Sequence, residues 1–275
     1  MRTQEISNEI KEQIIYRYQV LGYGQIKSGQ PFGISDYIVK KILQEAKIPI
    51  RNFSQAATAS NKNRAISINH NYFDSESANM AYILGLFASD GTVRKDKNEI
   101  KLTLQAEDET FLNCIKKELE YEGTVKTYTT QQGYSHSTLT FTSERIKKKL
   151  AEYNIVPSKT YSFTFPAQLQ RKYWLDFFRG YFDGDGTICQ AGPALRFSLC
   201  SHTKNVLEVF LTFFEEEYEV KKVNIYTRED GLYYFQYSTT ATKQIYSFLY
   251  PKNCLCLPRK YHKYTDLMNK FSTRL

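Results

Sequence analysis

The sequence predicts an α+β protein in which one α-β-β-α-β-β-α unit is written twice behind a small basic helical region. Three observations predict it. AYILGLFASDGTV (81–93) and FRGYFDGDGTI (178–188) place Asp90-Gly91-Thr92 and Asp185-Gly186-Thr187 95 residues apart. At that offset Lys101-Leu-Thr-Leu104 falls on Arg196-Phe-Ser-Leu199, and the stripe Phe111, Leu112, Ile115, Leu119 falls on Val206, Leu207, Phe210, Phe214. The offset then drifts as loops differ in length: Val125 matches Val223, Gly133 matches Gly231, Leu150 matches Leu249, and Pro157-Ser-Lys159 matches Pro258-Arg-Lys260 at 101 residues. A period near 100 is far too long for a solenoid, so the repeat is a duplicated domain.

The elements follow in order. Ile6, Ile10, Ile14 and Tyr18, four apart, predict an amphipathic helix over 5–20, which Gly22 and Gly24 break. Ser35 as N-cap, the stripe Ile38, Ile42, Leu43, and Pro49 beyond predict a second helix over 35–46. With Lys40 and Lys41 on it, the pair resembles a helix-turn-helix, although Gly29 and Pro31 sit where a tidy middle helix should run. Residues 51–70 hold Arg51, Lys62 and Arg64 and no acid, a linker or arm suited to phosphates. Each copy then opens with a small-residue helix (78–89 and 173–184). A strand pair follows (92–105 and 187–200), with Leu102/Leu104 and Phe197/Leu199 alternating with polar residues. Next come a helix (108–121 and 203–217), a second strand pair (124–142 and 222–239) and a closing helix (143–152 and 241–250). The boundaries are a helical DNA-binding-like region at 1–50, a basic arm at 51–71, and two units at 72–168 and 169–275.

Composition narrows the class. With 41% hydrophobic and 24% charged residues among 275, disordered and fibrous classes are excluded. A mean hydropathy of −0.51, with no apolar run near 18 residues, predicts no membrane span. The opening MRTQEISNEIKEQ predicts neither a signal nor a transit peptide. Five cysteines without a CxxC pair fit a reducing compartment: the cytoplasm, or an organellar matrix if organelle-encoded, and not secretion. Cys254 and Cys256 read as small buried hydrophobes. The net charge is +8, of which residues 1–71, with ten basic and five acidic side chains, carry +5. That excess favours a polyanionic partner.

The chemistry concentrates on the first helix of each copy. Ala81, Gly85 and Ser89 lie four apart, as do Asp176, Gly180 and Gly184. A helical Gly costs about 1 kcal/mol relative to Ala, so matched Gly85 and Gly180 predict two helices packed closely against each other. Asp90 and Asp185 end these helices, where a carboxylate meets the negative end of the dipole at a cost of about 0.3–1 kcal/mol. Side-by-side helices would bring both acids and several free carbonyls together, a poor structural choice but a good site for Mg²⁺.

ILGLFASDG (83–91) and FRGYFDGDG (178–186) resemble the paired motifs of the LAGLIDADG homing endonucleases, over about residues 72–270. The resemblance implies a saddle of two antiparallel sheets over DNA, with the motif helices at the domain interface. It also implies that Asp90 and Asp185 bind divalent metal and each direct hydrolysis of one strand, in a monomer that reads a long, non-palindromic site. Mg²⁺ is the expected ion, with Mn²⁺ substituting and Ca²⁺ supporting binding without cleavage. The earlier Asp of the motif is present as Asp183 but is Ala88 in the first copy. The stretches Gln105-Ala-Glu-Asp and Cys200-Ser-His-Thr offer no lysine where many members place a basic residue. Lys159 and Lys260, matched in both copies, and Gln105 are therefore the candidates for catalytic support, with capping or phosphate contact as the competing role for the lysines. His70, His136, His202 and His262 are isolated and form no metal motif.

Strand alternation selects a DNA-facing set. If Leu102 and Leu104 point inward, Lys101, Thr103 and Gln105 point outward. Continuing the parity adds Lys126, Tyr128, Thr138, Thr140 and Thr142, and Arg94 joins the set. In the second copy it gives Arg196, Ser198, Cys200, Asn224, Tyr226, Arg228, Tyr234 and Gln236. These are groups that read base edges. The expectation is a site-specific endonuclease acting on double-stranded DNA, with no protein partner. A DNA-binding regulator that has lost cleavage and an RNA-binding intron maturase are the alternatives on the same fold. The absence of a terminal His-Asn predicts a free-standing protein and not an intein.

Overall fold

The structure, a computed structural model, describes residues 6–52, 55 and 66–272. The chain divides into two compact units, Met1–Ile66 and Ser67–Leu275.

In the first unit, α1 (Asn8–Gln19) starts at Ser7, whose side chain accepts from the Ile10 amide. The middle helix is short: α2 (Gln25–Gly29) passes into a single 3₁₀ turn, Gln30–Phe32, which absorbs Pro31 at its start. Gly33 in the left-handed region (φ 65°) then turns the chain into α3 (Asp36–Glu45). Gly29 is required by contact, because a Cβ there would meet the Ile34 carbonyl oxygen and lie 2.7 Å from Val39 Cγ2. Ile14, Tyr18, Ile34, Val39, Ile42 and Leu43 form the unit's own small core.

The second unit carries the repeat. The first copy runs α4 (Ala78–Ser89), β1 (Gly91–Val93), β2 (Glu99–Gln105), α5 (Glu109–Glu118), β3 (Lys126–Thr129), β4 (Ser135–Thr142) and α6 (Glu144–Glu152). The second runs α7 (Trp174–Asp185), β5 (Gly186–Ala191), β6 (Ala194–Ser201), α8 (Lys204–Tyr218), β7 (Tyr226–Thr227), β8 (Tyr233–Tyr237) and α9 (Thr239–Leu249). A helix the repeat does not announce, α10 (Pro258–Ser272), follows. The two sheets are antiparallel and identical in order, β1-β2-β4-β3 and β5-β6-β8-β7. This is the α+β architecture expected of the duplicated unit.

Register places Lys101 opposite Thr140, Thr103 opposite Thr138, and Ser198 opposite Gln236. Ile100, Leu102, Leu104, Phe197 and Leu199 consequently line the buried faces. β7 is only two residues long, so the strand expected from 222 begins at Tyr226, and Asn224 lies before it in an exposed loop.

α4 is buried on every side from Met80 to Ala88, because it packs on both its own sheet and α7. The two helices touch backbone to backbone. A Cβ on Gly85 would collide with the Phe177 carbonyl oxygen and approach Tyr181 N at 2.7 Å; one on Gly180 would collide with the Tyr82 carbonyl. A single apolar core runs through both copies. Cys254 and Cys256 are half-buried and not fully enclosed as expected, and the neighbouring Cys256 thiol pulls Cys254 down.

Candidate active site

Close helix packing dictates where the acids lie. Asp90 caps α4, with its amide donating to Leu86 O, and Asp185 is the last residue of α7. A Cβ on Gly184 would lie 2.7 Å from Asp90 Oδ2, so the absence of that carbon is what lets the first acid reach across to the end of the second helix. Burial, and next the Asp185 charge, push the Asp90 carboxyl up to about 6. Asp185 is likewise raised, by burial, against the opposing pull of the Lys159 and Lys260 charges.

Two lysines straddle the acids in the same manner. Lys159 Nζ donates to Ser89 O (3.2 Å) and Gly91 O (2.7 Å), the carbonyls on either side of Asp90. Lys260 Nζ donates to Gly184 O (3.1 Å) and Gly186 O (2.7 Å), on either side of Asp185. Each ammonium thus satisfies helix-end carbonyls that the close approach keeps from water. Burial lowers both lysines, while both carboxylates favour their charged forms. The arrangement is crossed. Lys159 clamps the turn of Asp90 yet outweighs Lys260 in its pull on Asp185, and Lys260 outweighs Lys159 at Asp90.

Each acid opens into a cavity bordered by the end of a strand from its own sheet. The Asp185 cavity, about 200 Å³, takes in Cys200, Ser201, His202, Tyr181 and Lys159. The Asp90 cavity, about 800 Å³, takes in Thr103, Gln105, Glu107, Arg259 and Lys260. Asp108, buried beside it, is held by Arg259 at 3.0 Å, a link from α10 to the first copy. Among the described residues no cluster of three or more His, Cys, Asp or Glu side chains could hold a metal. The paired carboxylates fit a divalent ion nonetheless. They are hard oxygen donors that concentrate negative charge at two adjoining helix ends, suited to Mg²⁺, which takes one or two carboxylates and keeps its waters.

Asp183 is separate from this pair. It is 1% exposed and accepts from Tyr82 OH (2.6 Å), Tyr250 OH (2.5 Å) and Leu257 N (2.7 Å), a structural knot under the site.

The outward sheet faces hold most of the polar set. On the first, Lys126 and Tyr128 are exposed, Lys101 pairs with Glu99 (3.2 Å), and Arg94 pairs with Asp96 (3.0 Å). Thr140 is half-buried on the same face. Thr138 is 8% exposed with its hydroxyl against Thr103 (3.1 Å), so it braces the face instead of reading from it. On the second, Arg196 and Gln236 are exposed, the Ser198 hydroxyl donates to Phe235 O, and Tyr226 packs at 5.7 Å from Tyr234. Arg228 pairs with Asp230 in the hairpin turn. His136 also lies on this face, opposite Gln105 and packed on Tyr128; its parity with Thr138 and Thr140 is the signal the sequence carries for it.

In the first unit Lys40 and Lys41 are exposed on α3, Lys41 lying over Tyr37. Arg51 is not a free arm residue: its guanidinium donates to Tyr18 O (2.6 Å) and stacks on the Tyr18 ring, so it closes the unit instead. Lys62 and Arg64 lie outside the described residues.

The raised acid carries a stability consequence. A carboxyl whose pKa is higher folded than unfolded binds its proton more tightly in the native state, so native stability falls as pH rises from about 4 to about 6 and stays lower above that. Asp90→Asn in EDTA should therefore stabilise the fold by about 2 kcal/mol at pH 7.5, a gain that fades as pH falls through 6 towards 4. Thermal melts across that range check it; a pH-independent or negative difference contradicts the buried-acid geometry.

Residues 77–154 match the family model for a LAGLIDADG-like domain. No curated protein matches the chain by sequence. Among solved structures, the chain is similar to the I-LtrWI LAGLIDADG homing endonuclease bound to target DNA, at 14% identity and a TM-score of 0.46, over 75% of this chain and 91% of that one. It is also similar to the LAGLIDADG meganuclease I-CpaMI bound to uncleaved DNA (12%, TM-score 0.48, 72% and 92%). A third is I-SmaMI bound to an uncleaved DNA target in the presence of calcium ions (14%, TM-score 0.45, 71% and 90%).

Proposed function

We propose that this chain, with its LAGLIDADG-like domain at residues 77–154, is a divalent-metal-dependent, site-specific endonuclease that makes a staggered double-strand break in a long, non-palindromic DNA target. The observation that carries the reading is the pair Asp90 and Asp185. Two carboxylates stand at adjoining helix ends, Asp90 half-buried and Asp185 exposed, each opening into a cavity beneath its own polar sheet face. No packing need puts two acids there.

Asp90 and Asp185 would hold the metal, Mg²⁺ by donor type, with Mn²⁺ replacing it and Ca²⁺ sustaining binding alone. When bound, the metal polarises the scissile phosphate and lowers the pKa of the attacking water. Lys159 and Lys260 hold the turns that carry the acids, and their charges offset the second negative charge in the pocket. Gln105, on the wall of the Asp90 cavity, offers an amide to orient water or phosphate there. Lys101, Lys126, Tyr128, Arg196, Tyr226 and Gln236 present donors and acceptors for base edges and phosphates across the two faces. The protein acts as a monomer, because one chain supplies both halves of the site.

The test is cleavage in Mg²⁺ of the uninterrupted allele of the locus that carries the gene. Wild-type protein should linearise it in Mg²⁺ and Mn²⁺ and bind it uncut in Ca²⁺. Tight binding without cutting in Mg²⁺ would favour a regulator, and preference for the intron RNA a maturase.

The first unit would add affinity without chemistry. Ser67 O and the Asn69 amide pair with Glu122 N and Leu119 O, so a cut after Ile66 spares the second unit's backbone bonds. Removing residues 1–66 takes away a net +5. DNA binding should weaken, and the slope of log K against log salt should shrink by about 0.9 for each phosphate no longer neutralised. An unchanged slope in the truncated protein would refute the role.

No helix of the described residues is long and apolar enough to cross a membrane.

A further inference from the structure

The acids are related by the repeat, but their surroundings are not. At the 95-residue offset Gln105 corresponds to Cys200 and Glu107 to His202. Cys200 Sγ is turned back on the Asp185 carbonyl at 3.3 Å, which leaves His202 as the side chain that distinguishes this cavity. His202 follows β6 directly. Its turn is fixed by Ser201, whose hydroxyl accepts from Tyr181 OH (3.0 Å) and from the Thr203 amide (3.1 Å). The imidazole packs 4.8 Å from the ring of Tyr161, which stands in the same turn as Lys159. Its Nδ1 is buried with no hydrogen-bond partner, one of four side-chain atoms so placed among the described residues. With Nδ1 enclosed, Nε2 is the ring nitrogen left to meet a ligand in the cavity.

Building on the endonuclease reading, we propose that His202 is a contact of the Asp185 site to the DNA strand cut there, offering its imidazole Nε2–H to a phosphate oxygen of that strand. The Asp90 site has no counterpart at the matching position, and its proposed donor, Gln105, stands two residues earlier. Glu107 stands in the matching place, and a carboxylate there repels a phosphate. The two strands are thus cut by unlike sites, and only one strand depends on His202.

The experiment is digestion in Mg²⁺ of a plasmid bearing the target, with each strand followed separately, by wild type, His202→Ala, His202→Gln and Asp185→Asn. His202→Ala should cut one strand within about threefold of wild type and the other at least about tenfold more slowly, the scale of one hydrogen bond to a charged group. Nicked circles then accumulate. The slow strand should be the one that Asp185→Asn impairs most, and His202→Gln, which keeps an N–H donor, should recover part of the rate. Binding in Ca²⁺ should weaken by no more than about tenfold, and near wild-type cutting of the strand that Asp90 serves separates the effect from misfolding. Equal slowing of both strands by His202→Ala, or wild-type rates on both, overturns the inference. Failure of the unsubstituted protein to cut at all overturns the endonuclease reading, and the inference with it.

Discussion

Asp90→Asn and Asp185→Asn should each lower double-strand cleavage by about a thousandfold, the rate equivalent of the several kcal/mol that a correctly held metal contributes. Asparagine keeps the size and hydrogen bonding of the acid and removes only its charge, so packing at the ends of α4 and α7 survives. Neither acid acts alone, because Asp185 is the second cause of the raised Asp90 carboxyl, after burial. Removing Asp185 therefore lets Asp90 ionise more easily, but either substitution leaves a single carboxylate to hold the dication. DNA binding in Ca²⁺ should persist and can tighten, since a negative charge near the phosphates is gone. If the two sites share an ion, a single variant loses both strands; if not, it still nicks the strand that the other acid serves. Cleavage time courses in Mg²⁺ beside binding in Ca²⁺ decide the matter. Wild-type double-strand cutting by either variant would end the mechanism.

Gly180→Ala should destabilise the second unit by about 3 kcal/mol or more, and Gly85→Ala by a similar amount. The sign is what makes this informative. By helix propensity alone, Gly to Ala within a helix stabilises by about 1 kcal/mol. Here the added carbon falls onto a backbone carbonyl of the facing helix, Tyr82 for Gly180 and Phe177 for Gly85. A side chain could swing away; a carbonyl inside a helix cannot. Nor can α4 retreat, because its other faces are packed against its own sheet. Separating the helices would also pull Asp90 from Asp185, so residual folded protein should cut poorly. Denaturant or thermal unfolding measures the effect, and a raised or unchanged midpoint would contradict the backbone contact.

The duplicated order of elements, the first helix of each copy and the inward parity of the central strands were legible because they rest on short-range periodicity repeated twice. The helix contact was legible too, since a matched glycine in a helix is costly without a reason. What sequence hid is long-range. The lysines reach backbone carbonyls about 70 residues away, and no side-chain pattern marks a carbonyl as needing a partner. The sequence expectation for Arg51 fails because the Tyr18 carbonyl and ring claim its charge locally. α10 falls outside the repeat, and its Arg259 meets Asp108 across 151 residues. His202 reads as an isolated histidine until the fold carries it beside Asp185.

Asp183 has a further consequence for how the halves may assemble. One of its three donors, Tyr82, comes from the opposite copy, where the repeat gives the second copy Phe177 at the matching place. Ala88, the partner of Asp183 in the repeat, carries no acceptor. A twofold pair of second halves would leave each buried aspartate short of a donor, and a pair of first halves would strand each Tyr82 hydroxyl without an acceptor. A single mismatch in the seam therefore favours the mixed pairing over both self-pairings. Separately expressed halves should find each other in preference to themselves.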